Sequence, residues 1–275
     1  MALKLMYITN SQQVARIAEA AGVDRIFVDM EYIGKGLRQG GMDTVQSHHT
    51  FDDVQSISSV LSSAELLVRI NPIHEATAEY GSSREEIDRA IQNGADILML
   101  PYFKTVDEVR EFVDLVGGRA KTMPLIETPQ AAALIEDIVK IDGIDELFIG
   151  LNDLSLGYGK KFMFEILADG TVDRLADVIK SKGIPFGFGG LAALDGGLLP
   201  GYMVLKEHYR LGSDSVILSR SFCNSNKCVN IEEISDTFFK GIEEIRQYEK
   251  TLLGVTDFEE NRECVCQAIK RIVEG

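Results

Sequence analysis

Lys121-Thr-Met-Pro-Leu-Ile-Glu-Thr-Pro-Gln-Ala-Ala-Ala133 contains one complete turn from strand to helix. The apolar run predicts a strand over Lys121–Glu127. Thr128-Pro129 then supplies a capping hydroxyl and a proline at the first helical position. A carboxylate, Glu127, stands where the strand gives way to the helix.

The same alternation runs outward in both directions. Upstream, strands are expected at Leu3–Ile8, Arg25–Glu31, Leu66–Asn71 and Asp96–Tyr102. The second reads Ile-Phe-Val without polar alternation, as a strand buried on both faces does. Between them lie helical stripes. One runs through Val14, Ile17, Ala18 and Ala21 and stops at Gly22; another is capped by Thr50 with Asp53. A third opens at Ser83 with Glu86, and a fourth carries Val106, Val109, Phe112, Val113 and Val116. Downstream, strands are expected at Glu146–Gly150, Pro185–Gly189 and Ser215–Ser219, with helical faces at Val172, Leu175, Ala176 and Ile179 and from Asn230 through Ile245. Eight strands alternating with helices predict an α/β fold, a (β/α)8 TIM barrel over residues 1–255. An open doubly wound sheet is the competing arrangement, but no GxGxxG follows the first strand. Residues 256–275 form an extra helical segment with Phe258, Val265, Ile269, Ile272 and Val273. It either covers the barrel or packs on a partner subunit.

Composition narrows the function. The 275 residues are 45% apolar and 26% charged, which is ordinary for a globular chain. A formal net charge of -15 argues against a nucleic-acid binder, since phosphate recognition runs on Lys and Arg. No stretch approaches a membrane span, and Met1–Ile8 has no leader-like pattern, so a cytoplasmic protein without a membrane partner is expected. Cys223, Cys228, Cys264 and Cys266 all fall late, with no histidine between or after them, and read as thiols rather than as a zinc site or a disulfide framework.

Four charged residues stand at or just beyond the carboxyl ends of expected strands: Glu31, Arg69, Glu127 and Asp153. In a barrel these ends converge on one mouth. Structural ion pairing, acid–base work and a hard divalent cation are all open on this ground alone.

The motifs themselves go further. Leu125-Ile-Glu-Thr128, Gly143-Ile-Asp-Glu-Leu-Phe-Ile-Gly150 and Asn152-Asp-Leu-Ser155 resemble the HpcH/HpaI aldolase and citrate lyase family. Val68-Arg-Ile-Asn71, Gly94–Pro101 and Leu211-Gly-Ser-Asp214 resemble its third strand, its fourth strand and the run into its last one. The resemblance implies a metal-dependent carbon–carbon lyase acting on a small carboxylate or 2-keto acid, with Mg2+ or Mn2+ held by Glu127 and Asp153. It implies that Arg69 reaches the keto and enolate oxygen, that Glu31 supports metal-bound water, and that amides near Gly150, Leu151 and Asn152 receive the substrate carboxylate. It also implies a homo-oligomer, with C-terminal helices crossing to a neighbour.

The departures matter equally. Tyr32 occupies the place of the family's base histidine, and Gln92 that of its aspartate partner. Leu125 and Leu151 replace a glutamine and a proline. These changes lean toward the citrate-lyase side, which makes an acyl-thioester lyase the first alternative and a non-catalytic metabolite- or protein-binding barrel the second. The polar loop from Tyr32 to His49, with Gly34, Gly36, Gly40 and Gly41, is expected to act as a lid. It carries Arg38, His48 and His49, and either histidine is a candidate replacement for the missing base, with Tyr32 the next choice.

Overall fold

The computed structural model describes residues 2–34, 49–78, 80–225 and 230–275. Eight parallel strands pair in chain order: β1 (Lys4–Ile8), β2 (Arg25–Asp29), β3 (Glu65–Arg69), β4 (Ile97–Leu100), β5 (Lys121–Ile126), β6 (Leu147–Ile149), β7 (Phe186–Leu191) and β8 (Ser215–Leu218). β8 pairs back onto β1, closing the barrel and removing the open-sheet alternative. Most strands stop short of their expected carboxyl ends, because the mouth residues leave the ladder to face the opening. β7 instead runs two residues further, to Leu191, through an irregularity between Gly187 and Gly190.

The helices are α1 (Gln12–Ala21), α2 (Phe51–Ser58), α3 (Ser83–Gln92), α4 (Val106–Val116), α5 (Pro129–Ala133), α6 (Ile135–Ile138), α7 (Leu151–Gly157), α8 (Glu165–Ala168), α9 (Thr171–Lys180), α10 (Gly201–Leu211), α11 (Ile231–Leu252) and α12 (Glu259–Glu274). Their starts follow the capping chemistry of the sequence. Thr50 and Asp53 form a reciprocal capping box on α2, and the Thr128 hydroxyl accepts the Ala131 amide at 3.0 Å ahead of Pro129. For α3 the expected cap is off by one residue. Ser82 with Glu85 makes the box, while Ser83 and Glu86 turn inward. The Glu86 carboxylate accepts both the amide and the side chain of Asn71, and burial pushes its carboxyl upward.

Alternate strand residues share a face, so the barrel interior fills in layers. Met6, Phe27, Leu67, Met99, Met123 and Phe148 make the apolar middle. Below it, at the amino-terminal ends, Arg25 is completely buried. Its Nε donates to Glu65 at 2.8 Å and its Nη1 to Glu146 at 2.8 Å. A second, larger core lies between the strands and the helices.

α12 packs on this same barrel, burying Val265 and Ile269. The Asn261 side-chain amide donates to Glu207 of α10 at 2.8 Å, and Arg262 pairs with Asp173 of α9 at 2.6 Å. Among the described residues no helix is long and apolar enough to cross a membrane.

Candidate active site

At the carboxyl-terminal end the strands open into a cavity of about 330 Å3. Arg69, Glu127, Asp153, Gly150, Leu151, Asn152 and His49 all line it. The structure thus brings most of the expected residues to one mouth.

Glu127 follows β5 directly and is 4% exposed. Its Oε1 accepts the amide of Tyr102 at 2.9 Å. Tyr102 has a φ of 49°, the one left-handed non-glycine residue among those described. That conformation is costly for a bulky side chain, and it occurs at the residue whose amide meets the carboxylate. Gly150 makes the room on the other side. A Cβ there would lie 2.8 Å from Glu127 Cβ and 3.1 Å from Oε2. Burial, then the nearby charge of Glu31 and that of Asp153, push the Glu127 carboxyl up to about 8, against the pull of Arg69.

Asp153 lies in the first turn of α7, for which Gly150 is the N-cap. Asn152 Nδ2 donates to its Oδ1 at 3.1 Å. The amides of Leu151 and Asn152 are first-turn groups, which a helix leaves without internal partners. The Leu151 side chain packs where Gly189 of β7 has a φ of 53°, and a Cβ at Gly189 would come within 2.6 Å of it. A leucine in place of a proline is therefore accommodated by a glycine on the neighbouring strand.

Arg69 ends β3 and is clamped from behind. Its Nε and Nη2 donate to the two oxygens of Asp29 at 2.8 Å each, and Nη1 lies 3.5 Å from Glu31 Oε2. Burial opposes the charged guanidinium, but the charges of Asp29 and Glu31 outweigh it and hold the group well above its ordinary value. Glu31 is buried behind Arg69 and does not line the cavity. Sequence reading missed Asp29. Its signal was an acid within the otherwise apolar run Ile26-Phe-Val-Asp-Met30.

His49 Nδ1 accepts the backbone amide of Asp29 at 3.0 Å. A neutral ring held in this way carries its proton on Nε2. His48 and Arg38, like residues 35–48 of the expected lid from Tyr32 to His49, lie outside the described residues. Tyr32 turns elsewhere. Its ring centroid is 4.8 Å from that of Tyr80, its amide donates to Asn71 at 3.0 Å, and it does not line the cavity. Gln92 is exposed at the end of α3, a helix that runs back toward the amino-terminal end of the barrel.

A model of the HpcH/HpaI aldolase/citrate lyase family matches residues 4–165, more than half of the chain. The chain belongs to this family. A hydroxypyruvate/pyruvate aldolase from Sagittula stellata is 30% identical over 145 residues, 42% of this chain and 56% of that relative. The chain thus spans just over half the length of the curated relative it matches. Among solved structures, an HpcH/HpaI aldolase/citrate lyase family protein from Burkholderia cenocepacia superposes with a TM-score of 0.62 at 17% identity, covering 85% of this chain and 95% of that one. The citrate lyase beta subunit from M. tuberculosis, complexed with oxaloacetate and magnesium, gives 0.55 at 18%, covering 86% and 97%. At such identities these likenesses speak for the fold. The matched span takes in β1 to β6 and so includes Glu31, Arg69, Glu127 and Asp153.

The donor set suits a hard divalent ion. Two carboxylates meet at a wall already overloaded with negative charge, and oxygen ligands of this kind favour Mg2+ or Mn2+. Among the described residues no group of three or more His, Cys, Asp or Glu side chains that could hold a metal converges, and Glu127 and Asp153 are the pair that would hold such an ion. Substrate oxygens and water would fill the rest of the coordination shell.

Proposed function

We propose that this member of the family is a divalent-metal-dependent lyase that cleaves or forms a carbon–carbon bond in a small 2-keto acid. The observation that carries the reading is the charge balance of the mouth. Asp29 and Glu31 hold the Arg69 guanidinium, Glu127 acts on it and Asp153 acts on Glu127, beside a cavity sized for a small ligand. Such a wall repels a carboxylate substrate unless a cation is present. The relatives lend support, since one is named a hydroxypyruvate/pyruvate aldolase and another was solved with oxaloacetate and magnesium.

Glu127 and Asp153 would hold the ion, which would supply positive charge to stabilise the bound acid and the enolate formed from it. Arg69 directs Nη1 at the oxygen on which negative charge grows as the bond breaks, and Asp29 and Glu31 keep it from turning away. The first-turn amides of Leu151 and Asn152 receive the substrate carboxylate. His49 offers Nε2–H to the oxygen of the departing aldehyde. In cleavage the hydroxyl beyond the bond gives its proton to water, its oxygen pair forms the aldehyde carbonyl as the carbon–carbon bonding pair passes to the enolate, and a proton returned from water to the enolate carbon gives pyruvate or a relative. No electrons are gained or lost overall, and condensation is the reverse.

The test is exchange of pyruvate methyl protons in D2O with added Mg2+, run beside aldol cleavage and a set of acyl-coenzyme A thioesters. Metal-dependent exchange with keto-acid turnover is expected. Turnover of thioesters alone would replace the reading by a thioester lyase, and neither exchange nor turnover would leave a binding barrel.

A further inference from the structure

The seam between β2 and β3 carries the clamp on Arg69, and its backbone ladder stops there. Asp29 is paired with Arg69, and the Met30 amide donates to the Arg69 carbonyl at 3.0 Å. Past that point a side chain takes over. Asn71 is buried, and its Oδ1 accepts the amides of Tyr32 and Ile33 at 3.0 and 2.9 Å. These residues follow Glu31 directly. The Asn71 oxygen thus does for the two strand exits what a backbone carbonyl does within a ladder.

Asn71 is held in turn by Glu86 of α3, which is also buried. The Glu86 carboxylate accepts Asn71 Nδ2 at 2.8 Å and the Asn71 amide at 3.1 and 3.2 Å. Burying a carboxylate is costly, and hydrogen bonds from one asparagine offset that cost here. With the carboxylate on one side and two N–H groups on the other, only one orientation of the Asn71 side chain satisfies both. The first turn of α3 is tied to the exit of β3 as well. The His74 amide donates to Ser83 Oγ at 2.8 Å, and the Ser83 amide donates to the His74 carbonyl at 3.1 Å. Neither Asn71 nor Glu86 lines the cavity, so any part they play in the chemistry runs through other residues.

We infer that Asn71 and Glu86 are positioning residues: they fix the exits of β2 and β3 against each other, and so set Glu31 against the Arg69 guanidinium. The inference rests on the lyase reading above and adds to it the residues that aim its arginine. Asp29 takes Nε and Nη2 of Arg69, while Glu31 Oε2 stands 3.5 Å from Nη1, the nitrogen directed at the enolate oxygen. Glu31 lies just before the amides that Asn71 accepts, and Asn71 lies just past Arg69 on the other exit. A shift of either exit therefore moves the Glu31 carboxylate relative to Nη1.

The experiment compares the full-length wild type, Asn71→Asp, Asn71→Ala and the double variant Asn71→Asp/Glu86→Gln. The aspartate keeps one oxygen for the amides of Tyr32 and Ile33. Its other oxygen meets the Glu86 carboxylate, where neither group has a hydrogen to give. Glutamine at position 86 restores a donor there and keeps an oxygen for the backbone amide of position 71. Two readings are taken. One is the Arg69 Nε–H signal in 1H–15N spectra, identified by its absence from Arg69→Lys. The other is kcat/KM, per folded molecule, for Mg2+-dependent exchange of pyruvate methyl protons. In Asn71→Asp the signal should shift and kcat/KM should fall by about tenfold or more, with both returning most of the way in the double variant. Mn2+ affinity should stay within about twofold of wild type throughout, since Glu127 and Asp153 stand on the β5–β6 side. Asn71→Ala leaves the two amides without that acceptor and brings no second carboxylate, so it gives the same loss should Asn71→Asp not fold. A pair that serves stability alone would lower the urea midpoint but leave the signal and the rate per folded molecule at wild-type values, which would overturn the inference. A double variant as impaired as Asn71→Asp would overturn it too. The Arg69 signal needs neither metal nor substrate. It therefore decides the positioning even in a protein without exchange, the outcome that removes the lyase reading.

Discussion

Strands β2 and β3 are paired so that Arg25 faces Glu65 at one end of the barrel and Asp29 faces Arg69 at the other. The chemistry is the same, on the same two strands, yet the surroundings differ. At the amino-terminal end Arg25, Lys121 and Lys4 stand with Glu65 and Glu146, and Arg25 donates to both carboxylates. At the carboxyl-terminal end one guanidinium faces Asp29 and Glu31 and feels Glu127, whose own carboxyl is pushed up to about 8. The first cluster has three cations for two carboxylates and closes off the barrel. The second is short of positive charge and borders the cavity, which is the ground for the cation proposed there.

That contrast can be broken most forcefully at the closed end. Glu146→Ala leaves Arg25 buried with one partner fewer and should cost about 3–5 kcal/mol of stability in urea unfolding. Turnover per folded molecule should be unaltered. An unchanged midpoint would mean the amino-terminal cluster does not hold the barrel. At the open end, Arg69→Lys should keep the fold and lower aldol turnover by about 100- to 1000-fold, because an ammonium cannot reproduce the clamped fork. A near-normal rate would place both clusters in one structural class.

A smaller and more specific effect concerns pH without metal. The unfolded Glu127 carboxyl titrates near 4.5 and the folded one near 8. Below about pH 4.5 both states hold the proton and nothing is lost. Between there and pH 8 the unfolded state releases it while the folded state keeps it, so stability falls as pH rises. From this group we expect a loss of about 2 kcal/mol between pH 6 and 8, flattened in Glu127→Gln and offset by Mg2+. A metal-free wild type and variant with the same pH slope would contradict it. Smallest is Gly150→Ala, which forces the Glu127 carboxylate aside and should cost at least about 1 kcal/mol. Thermal unfolding of the two proteins measures it, and equal midpoints would show that the glycine makes no room.

Much of this was legible in sequence because it depends on local chemistry. The capping pairs Thr50/Asp53 and Thr128-Pro129 mark helix starts, and the apolar runs mark strands whatever the rest of the chain does. Glu127, Asp153 and Arg69 could be picked out because they stand where strands end. Asp29 was not, since nothing in a linear order says that a residue on β2 will clamp one on β3. Register decides that. The left-handed backbone of Tyr102 is equally silent, because residue preference argues against it for a tyrosine. The His49 contact depends on a single amide of β2, which only the fold brings to it. Ser83 and Ser82 show the remaining kind of miss, where two adjacent serines offer the same cap and burial picks the outer one.

The account turns on whether the open end binds a divalent ion through Glu127 and Asp153. Calorimetric titration of Mn2+ into the wild type, Glu127→Gln and Asp153→Asn at pH 7 addresses it directly. We expect one saturable site in the wild type, tightened by oxalate, and affinity lowered at least about tenfold in each variant. Equal Mn2+ isotherms for all three proteins would contradict it.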